Sequence, residues 1–233
     1  WAIEECNACG FARIDPMPAR EARAECYSEQ KIIERNVKQK YYLQKFSRLL
    51  KRLLGKVTGR DKSGIFYNKL RRYLSPKSKI LDIGCGDGSF LSLAKKSFVC
   101  TGIEISEHQA SLARRQSGIK VITGNFIDKD FANEKYGGIT LISLFEHLDD
   151  PLLAMKKCFD LLDQGGVLLI KTVNYSCVNR HVRKERWTGF RPPDHMIYFG
   201  PSNFKLLLKK IGFTRIKIFA MPFNDNMYCE AFK

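Results

Sequence analysis

Ile80-Leu81-Asp82-Ile83-Gly84-Cys85-Gly86-Asp87-Gly88 decides how this chain folds. Four residues, three of them apolar, read as a short buried strand. The glycines that follow impose a tight turn, and residues 89–97 suit a helix. In an open α/β sheet the ligand sits beyond the carboxyl ends of the strands, and this turn is the first such end. The glycine spacing is G-x-G-x-G, one residue shorter than the G-x-G-x-x-G that seats a pyrophosphate on a helix N-terminus. Asp82 and Asp87 bracket the turn. Carboxylates repel a phosphate and suit a ligand with cationic groups.

Glu104 lies twenty residues after Gly84, at the end of Val99-Cys-Thr-Gly-Ile-Glu. An acid at the end of the second strand can accept hydrogen bonds from both ribose hydroxyls. Turn and acid together describe an adenosine ligand with a positive tail and no phosphate. S-adenosylmethionine, with its ammonium and sulfonium, fits that description, and S-adenosylhomocysteine would be the product.

Outward from the turn, strands alternate with helices. Phe98–Ile105, Ile119–Thr123, Gly138–Leu144 and Val167–Thr172 read as strands. Glu107–Gln116 and Pro151–Leu162 read as helices, the second opened by proline and closed by Gly165-Gly166. This alternation predicts a doubly wound parallel sheet. Pro201–Ile211 is a further helix. Phe213–Phe219 and Asn226–Phe232, joined by a short loop, read as an antiparallel pair.

The 233 residues carry a net charge of +16, unevenly placed. Residues 31–79 hold +14, whereas residues 80–179 hold −2. Residues 31–56 combine nine basic side chains with an apolar stripe at helical spacing. That segment reads either as a helix packed on the main domain or as one lying on an anionic membrane surface. Such concentrated basicity argues against a whole-chain nucleic-acid binder. No apolar run approaches the ~20 residues of a membrane-spanning helix. Trp1 at the start reads as a cut or processed terminus, and no signal peptide is visible. Eight cysteines, several inside apolar runs, fit a reducing cytoplasm rather than a disulfide scaffold. Cys6-Asn-Ala-Cys9-Gly10 has the form of half a zinc knuckle; without a second pair, no bound metal is expected. The chain thus divides into a leader (1–30), a basic helical extension (31–78) and a catalytic domain (79–233).

From about residue 65 to 232 the sequence resembles the class I S-adenosylmethionine-dependent methyltransferases. More narrowly it resembles the subgroup of ubiquinone-biosynthesis O-methyltransferases and of sugar and glycan methyltransferases. Ile80–Gly88 matches the first motif and Gly102-Ile-Glu104-Ile105 the second. Thr123-Gly-Asn125-Phe126 matches the segment that holds adenine, with Asn where Asp is common. Ile139–Leu144 with Glu146-His147-Leu-Asp-Asp-Pro151 matches the fourth strand and its continuation. Asp194-His195-Met-Ile-Tyr198 and Ile211-Gly-Phe213 match the C-terminal pattern, and Cys6-x-x-Cys9 with Pro16-Met-Pro18 resembles a leader some members carry. The resemblance implies a Rossmann-like seven-stranded, mostly parallel sheet with one antiparallel strand and helices on both faces. It implies a cofactor site at Asp82, Gly84, Cys85, Gly86, Gly88, Glu104, Ile105, Asn125, Phe126 and Leu144.

Methyl transfer is an in-line displacement, so the protein mainly positions the acceptor and excludes water. A hydroxyl acceptor must also lose a proton, which suits histidine. His147, after the fourth strand, is a candidate general base or acceptor-orienting group, with a structural helix cap as the alternative. His195, in the long segment 174–200, is a candidate for substrate contact, or else an anchor that closes the loop; Tyr198 shares these readings. Glu146 could orient His147, cap a helix or meet the acceptor. His108 reads as solvent-facing, His181 as part of a basic surface, and Tyr41 or Tyr42 as packing or as a cover over the cofactor. The expected activity is methylation, O-directed, of a small-molecule, glycan or lipid-linked acceptor. RNA methylation, a non-catalytic cofactor-binding scaffold and a nicotinamide oxidoreductase are the competing readings. The expected location is the cytoplasm, with peripheral membrane contact through residues 31–56.

Overall fold

The computed structural model describes residues 1–19 and 62–233. The basic stretch 31–56, with Tyr41 and Tyr42, lies outside the described residues. Strands are numbered in chain order from β1 (Ala2–Glu5) and β2 (Ala12–Asp15). Seven more described below and a two-residue strand, β8 (Ile197–Tyr198), complete the set.

The larger sheet joins β3 (Lys79–Ile83), β4 (Val99–Glu104), β5 (Lys120–Thr123), β6 (Tyr136–Ile142), β7 (Leu162–Val173), β9 (Arg215–Ala220) and β10 (Asn226–Phe232). Its order is β5-β4-β3-β6-β7-β10-β9. β3 pairs in parallel with both β4 and β6, and β7 runs parallel to β6. β10 alone runs against its neighbours, antiparallel to β7 and to β9. The chain moves outward from β3 through β4 to β5, then returns to β6 on the other side. The topological switch therefore falls between the carboxyl ends of β3 and β6, where such sheets bind ligands.

Alternate residues serve opposite faces. Leu81, Ile83, Ile139, Leu141, Leu168 and Ile170 join one core cluster with α4 (Pro151–Leu161) and α5 (Pro201–Ile211). Ile80, Val167, Leu169 and Phe232 join another with α1 (Lys62–Tyr73) and α2 (Ser89–Ala94). α3 (Glu107–Ser117) packs Ala110 and Ala113 on Leu91 and Cys85. It starts at a Ser106 cap that accepts from Gln109 N, and ends at Gly118, whose φ is +64°. α1 descends alongside β10: Phe66 meets Tyr228, and Tyr73 meets Phe232. Between them buried Glu230 takes an ion pair from Lys69 and a hydrogen bond from Tyr73 at 2.5 Å. Lys62 therefore stands at the carboxyl edge of the sheet and Tyr73 near its amino edge.

Two details depart from the sequence pattern. Gly165-Gly166 does not close α4. The helix ends at Leu161 and β7 begins at once, Leu162 pairing with Tyr136. The glycines sit in an irregularity, Gly165 at φ +78°, before regular pairing resumes at Val167 with Gly138. Strand pairing at Leu162 outweighs the local stop signal. The leader, read as a separate unit, is built into the domain. β1 and β2 form a hairpin whose second strand pairs with β8. Ala12 and Ile14 are fully buried in the larger core cluster.

Candidate active site

The glycine turn and Glu104 come together at the carboxyl ends of β3 and β4. Gly84 N and Cys85 N donate to Ile103 O, at 2.8 and 3.2 Å, folding the turn back over β4. Glu104 holds the two turns at once: its Oε2 accepts from Gly86 N at 2.9 Å and its Oε1 from Ser106 N at 3.0 Å. An ionised carboxylate has about four acceptor positions. Two remain, enough for a pair of ribose hydroxyls. Gly86 has φ +54°, and a β-carbon there would meet nothing within 4 Å. Its backbone therefore faces open space, which lets a ligand approach closely. On the other flank Leu144 lies across Gly84, so near that a β-carbon at Gly84 would come within 2.8 Å of it. Ile105 is exposed beside Glu104 and offers an apolar surface to a base.

Asp82 lies under the turn rather than in it. It is buried, and its Oδ1 accepts from Thr140 Oγ1 at 2.6 Å. Burial, with Glu104 adding to it and Thr140 opposing, pushes its carboxyl up to about 7. Asp87 is exposed just before α2 and accepts from Ser89 N and Ser89 Oγ. Cys85 is buried between turn and sheet, and burial raises its thiol. Gly88 is the residue from which α2 starts. Asn125 spends one lone pair of its amide oxygen on Ile127 N, 3.0 Å away. Phe126 turns its side chain into the core against Phe131.

The histidines converge at the end of β6. Glu146 and His147 sit on a short 3-10 turn, Phe145–His147, directly after Leu144. His147 Nδ1 lies 2.7 Å from Asp194 O and 3.2 Å from Asp194 Oδ1. Arg191 pairs with the same carboxylate at 2.7 Å. Burial opposes charge on His147, but Asp194 and then Glu146 outweigh it, and its pKa is raised. His195 is buried, with Nδ1 2.8 Å from Gly189 O. Burial, reinforced by the charge on His147, lowers it to about 4. The rings stand 4.9 Å apart, nearly perpendicular. A carbonyl only accepts, so each Nδ1 carries its proton, and each Nε2 of the neutral rings is left with a lone pair. Glu146 Oε2 accepts from Thr172 Oγ1 at 2.8 Å. One donor atom each from Glu146, His147 and His195 lies within 4.8 Å of the others, near enough to share a proton network or grip a small cation. Tyr198 is buried and donates to His195 O at 2.9 Å, which braces the loop. His181 is exposed on the basic segment.

Cys6 and Cys9 face solvent on the β1–β2 turn. Amides of Cys9 and Ala8, and the Cys9 side chain, lower the Cys6 thiol. Two thiols alone do not complete a structural zinc site.

Several contributors went unassigned in the sequence. Thr140 could have been found by pairing β3 with β6, which sets it opposite Asp82. Asp194 stood in the quoted pattern, but nothing local marks it as a partner of His147, 47 residues away. Lys171, buried at the carboxyl end of β7, reaches Ser143 Oγ at 2.5 Å. Ser143 itself has φ +59°, a conformation uncommon outside glycine at a strand end that functional sites exploit.

A sheet with its switch point between β3 and β6, a glycine turn at the end of β3 and an acid at the end of β4 form the frame of a nucleoside-binding α/β domain. Residues 35–218 match the family model described as a methyltransferase domain, and the chain belongs to that family. Its fold is that of the S-adenosylmethionine-dependent methyltransferases. The chain is similar to the ubiquinone biosynthesis O-methyltransferase of Histophilus somni, 32% identical over 42% of this chain and 46% of that protein. The enzyme of the same name from Vibrio parahaemolyticus is 26% identical over 63% of this chain and 68% of its own length. The chain thus spans about half the length of the first of these relatives. The magnesium protoporphyrin IX methyltransferase of Synechocystis, solved with S-adenosylhomocysteine, superposes with a TM-score of 0.59. It is 18% identical over 73% of this chain and 81% of its own. A methyltransferase from Archaeoglobus fulgidus gives 0.59 at 18% identity, over 78% and 99%. At these identities the structures speak to the fold alone.

Proposed function

We propose that the enzyme methylates a hydroxyl group of a small, amphiphilic acceptor such as a phenol or a lipid-linked or glycan hydroxyl. The cofactor, when bound, supplies an activated methyl group. The residues of the cradle fit it: Glu104 has acceptor positions left for the ribose, and Gly86 leaves its backbone uncovered. Aspartates near the turn favour the cationic tail.

The observation that carries the O-directed reading is His147. It sits three residues beyond Leu144, tied to it through His147 N and Leu144 O at 2.9 Å, and Leu144 touches the glycine turn. The Asp194 carboxylate stabilises its imidazolium and raises its pKa, so Nε2 is placed to accept a proton from a hydroxyl. His195, kept neutral by burial, keeps its Nε2 available to hold the acceptor in line. An amine acceptor needs no such base at the pH where it is already unprotonated.

Transfer of labelled methyl to a panel of catechols, sugar hydroxyls and amines tests this. Hydroxyl acceptors are expected to turn over, with an acid limb in kcat/KM set by a group above the usual histidine value. His147→Asn should lower kcat by about 10²–10⁴ and remove that limb while S-adenosylhomocysteine affinity stays put. Preference for amines, or an intact limb in the variant, would overturn the assignment.

A further inference from the structure

The segment that leaves β5 is neither helix nor strand, yet its backbone is gripped at one point. Three carbonyls, Phe126 O, Ile127 O and Lys129 O, converge on the Lys157 ammonium at 2.8, 2.8 and 2.6 Å. An ammonium has three donors, and these contacts match them one for one. The Phe126 and Phe131 rings stand 5.1 and 5.4 Å from the same nitrogen. Lys157 is half-buried; burial lowers its pKa, with Asp128 and Asp130 opposing.

Lys157 stands on α4, where Ala154, Cys158 and Leu161 are buried, and it reaches from that helix to the loop. A cation that binds successive carbonyls gives an irregular segment what pairing gives a strand: partners for its polar groups and a single arrangement. The same segment carries Asn125, the residue that the family resemblance sets against adenine. Asn125 Oδ1 accepts from Ile127 N at 3.0 Å, and Asn125 O from Asp128 N at 3.2 Å. On the other side Gly124 N donates to Glu104 O at 2.9 Å, which ties the loop to the ribose acid. The donation from Ile127 N has a chemical consequence. An amide NH₂ cannot accept it, so Asn125 is kept from reversing its oxygen and nitrogen for as long as the Ile127 backbone is held.

We infer that Lys157 is a positioning residue for the base of the cofactor and sets its selectivity for adenine. Lys157 holds the backbone of residues 126–129, that backbone holds the Asn125 amide, and the amide oxygen accepts from the amino group of the base. A fixed oxygen attracts an amino group and repels a keto oxygen. A loop released from Lys157 lets the amide reverse and take either. The recognition of adenine rests on the cofactor site proposed above; the clamp rests on its three contacts alone.

Calorimetric titration of the full chain with S-adenosylhomocysteine and with S-inosylhomocysteine, which has a keto group in place of the amino group, reads that selectivity. The wild type should favour the adenine compound by about tenfold or more, the size of one hydrogen bond kept against one lost. Lys157→Met, close in length but without donors, should bring the ratio below about threefold. Equal weakening of both compounds with the ratio intact would make Lys157 merely structural and overturn the inference. Asn125→Ala should also abolish the preference. A preference retained there refutes the placement of the base, and the inference with it. A preference lost in Asn125→Ala and intact in Lys157→Met refutes the role of Lys157 alone. If Lys157→Met does not fold, hydrogen exchange of the wild type decides. The amides of residues 126–129 should exchange slowly without ligand and change less than about threefold when S-adenosylhomocysteine is added. A loop protected only in the presence of the ligand overturns the inference.

Discussion

Replacing Glu104 by Gln removes one acceptor oxygen and changes almost nothing in size. In the native chain two backbone donors, Gly86 N and Ser106 N, converge on the two carboxylate oxygens at 2.9 and 3.0 Å. Glutamine can satisfy one of them and presents its own N–H₂ to the other. A hydrogen bond to a charged group contributes about 1.5–3 kcal/mol, and a buried donor left unpaired costs about 1–3 kcal/mol. Stability should therefore fall by about 1–3 kcal/mol, a drop of roughly 2–12 °C in Tm for a chain of this size. The ribose loses one charge-assisted bond and has the other weakened, about 2–4 kcal/mol in binding, or roughly 30- to 1,000-fold in Kd. Calorimetric titration of S-adenosylhomocysteine reads the second effect and a thermal melt reads the first. Glu104→Asp keeps both oxygens but pulls them back by one carbon, and should fall between. Wild-type affinity in Glu104→Gln, at any stability, would refute the placement of the ribose and with it the site.

Asp82→Asn should make stability less dependent on pH. A carboxyl raised from 3.8 to about 7 is bound to its proton more tightly folded than unfolded, so stability falls as pH rises between those values. The penalty above pH 7 has an upper bound of roughly 4 kcal/mol. Urea midpoints should match near pH 4 and favour the variant at pH 8; a constant difference across that range would contradict the burial assigned to Asp82. Gly88→Ala should cost about 2–5 kcal/mol, because φ is +80° and the new carbon would lie 2.9 Å from Ala113 Cα. Gly118→Ala, at φ +64° with open space around it, should cost only about 1–2 kcal/mol. Equal urea midpoints for the two would show that α2 and α3 are not packed as closely as described.

What could be read in advance followed from local pattern. The β3 turn, Glu104 and the terminal hairpin each have neighbours in sequence that announce them, and Asn226–Phe232 is a strand with the bounds expected. The membership of Ala12 and Ile14 in the main core was not legible, because it depends on pairing β2 with a strand of two residues more than 180 positions later. The same holds for His147. Its type and place after β6 suggest chemistry, but its raised pKa comes from Asp194, which tertiary folding alone brings within reach. Gly165-Gly166 misled for the opposite reason: a strong local signal was overruled by β7 pairing with β6.

The hairpin at the start of the chain and the loop bearing His195 are mechanically one piece. Ile14 N donates to Met196 O, the Tyr175 hydroxyl to Glu5, and the Phe11 ring packs at a tilt against Phe199, 4.7 Å between centroids. Trimming the protein to begin at the glycine-bearing strand would strip that splint away. It would open a hollow where Ala12 and Ile14 sit and leave the wall behind the histidines to wander. A minimal fragment drawn from the motif map alone would keep the glycine turn and Glu104 and lose the splint under the loop that carries His195.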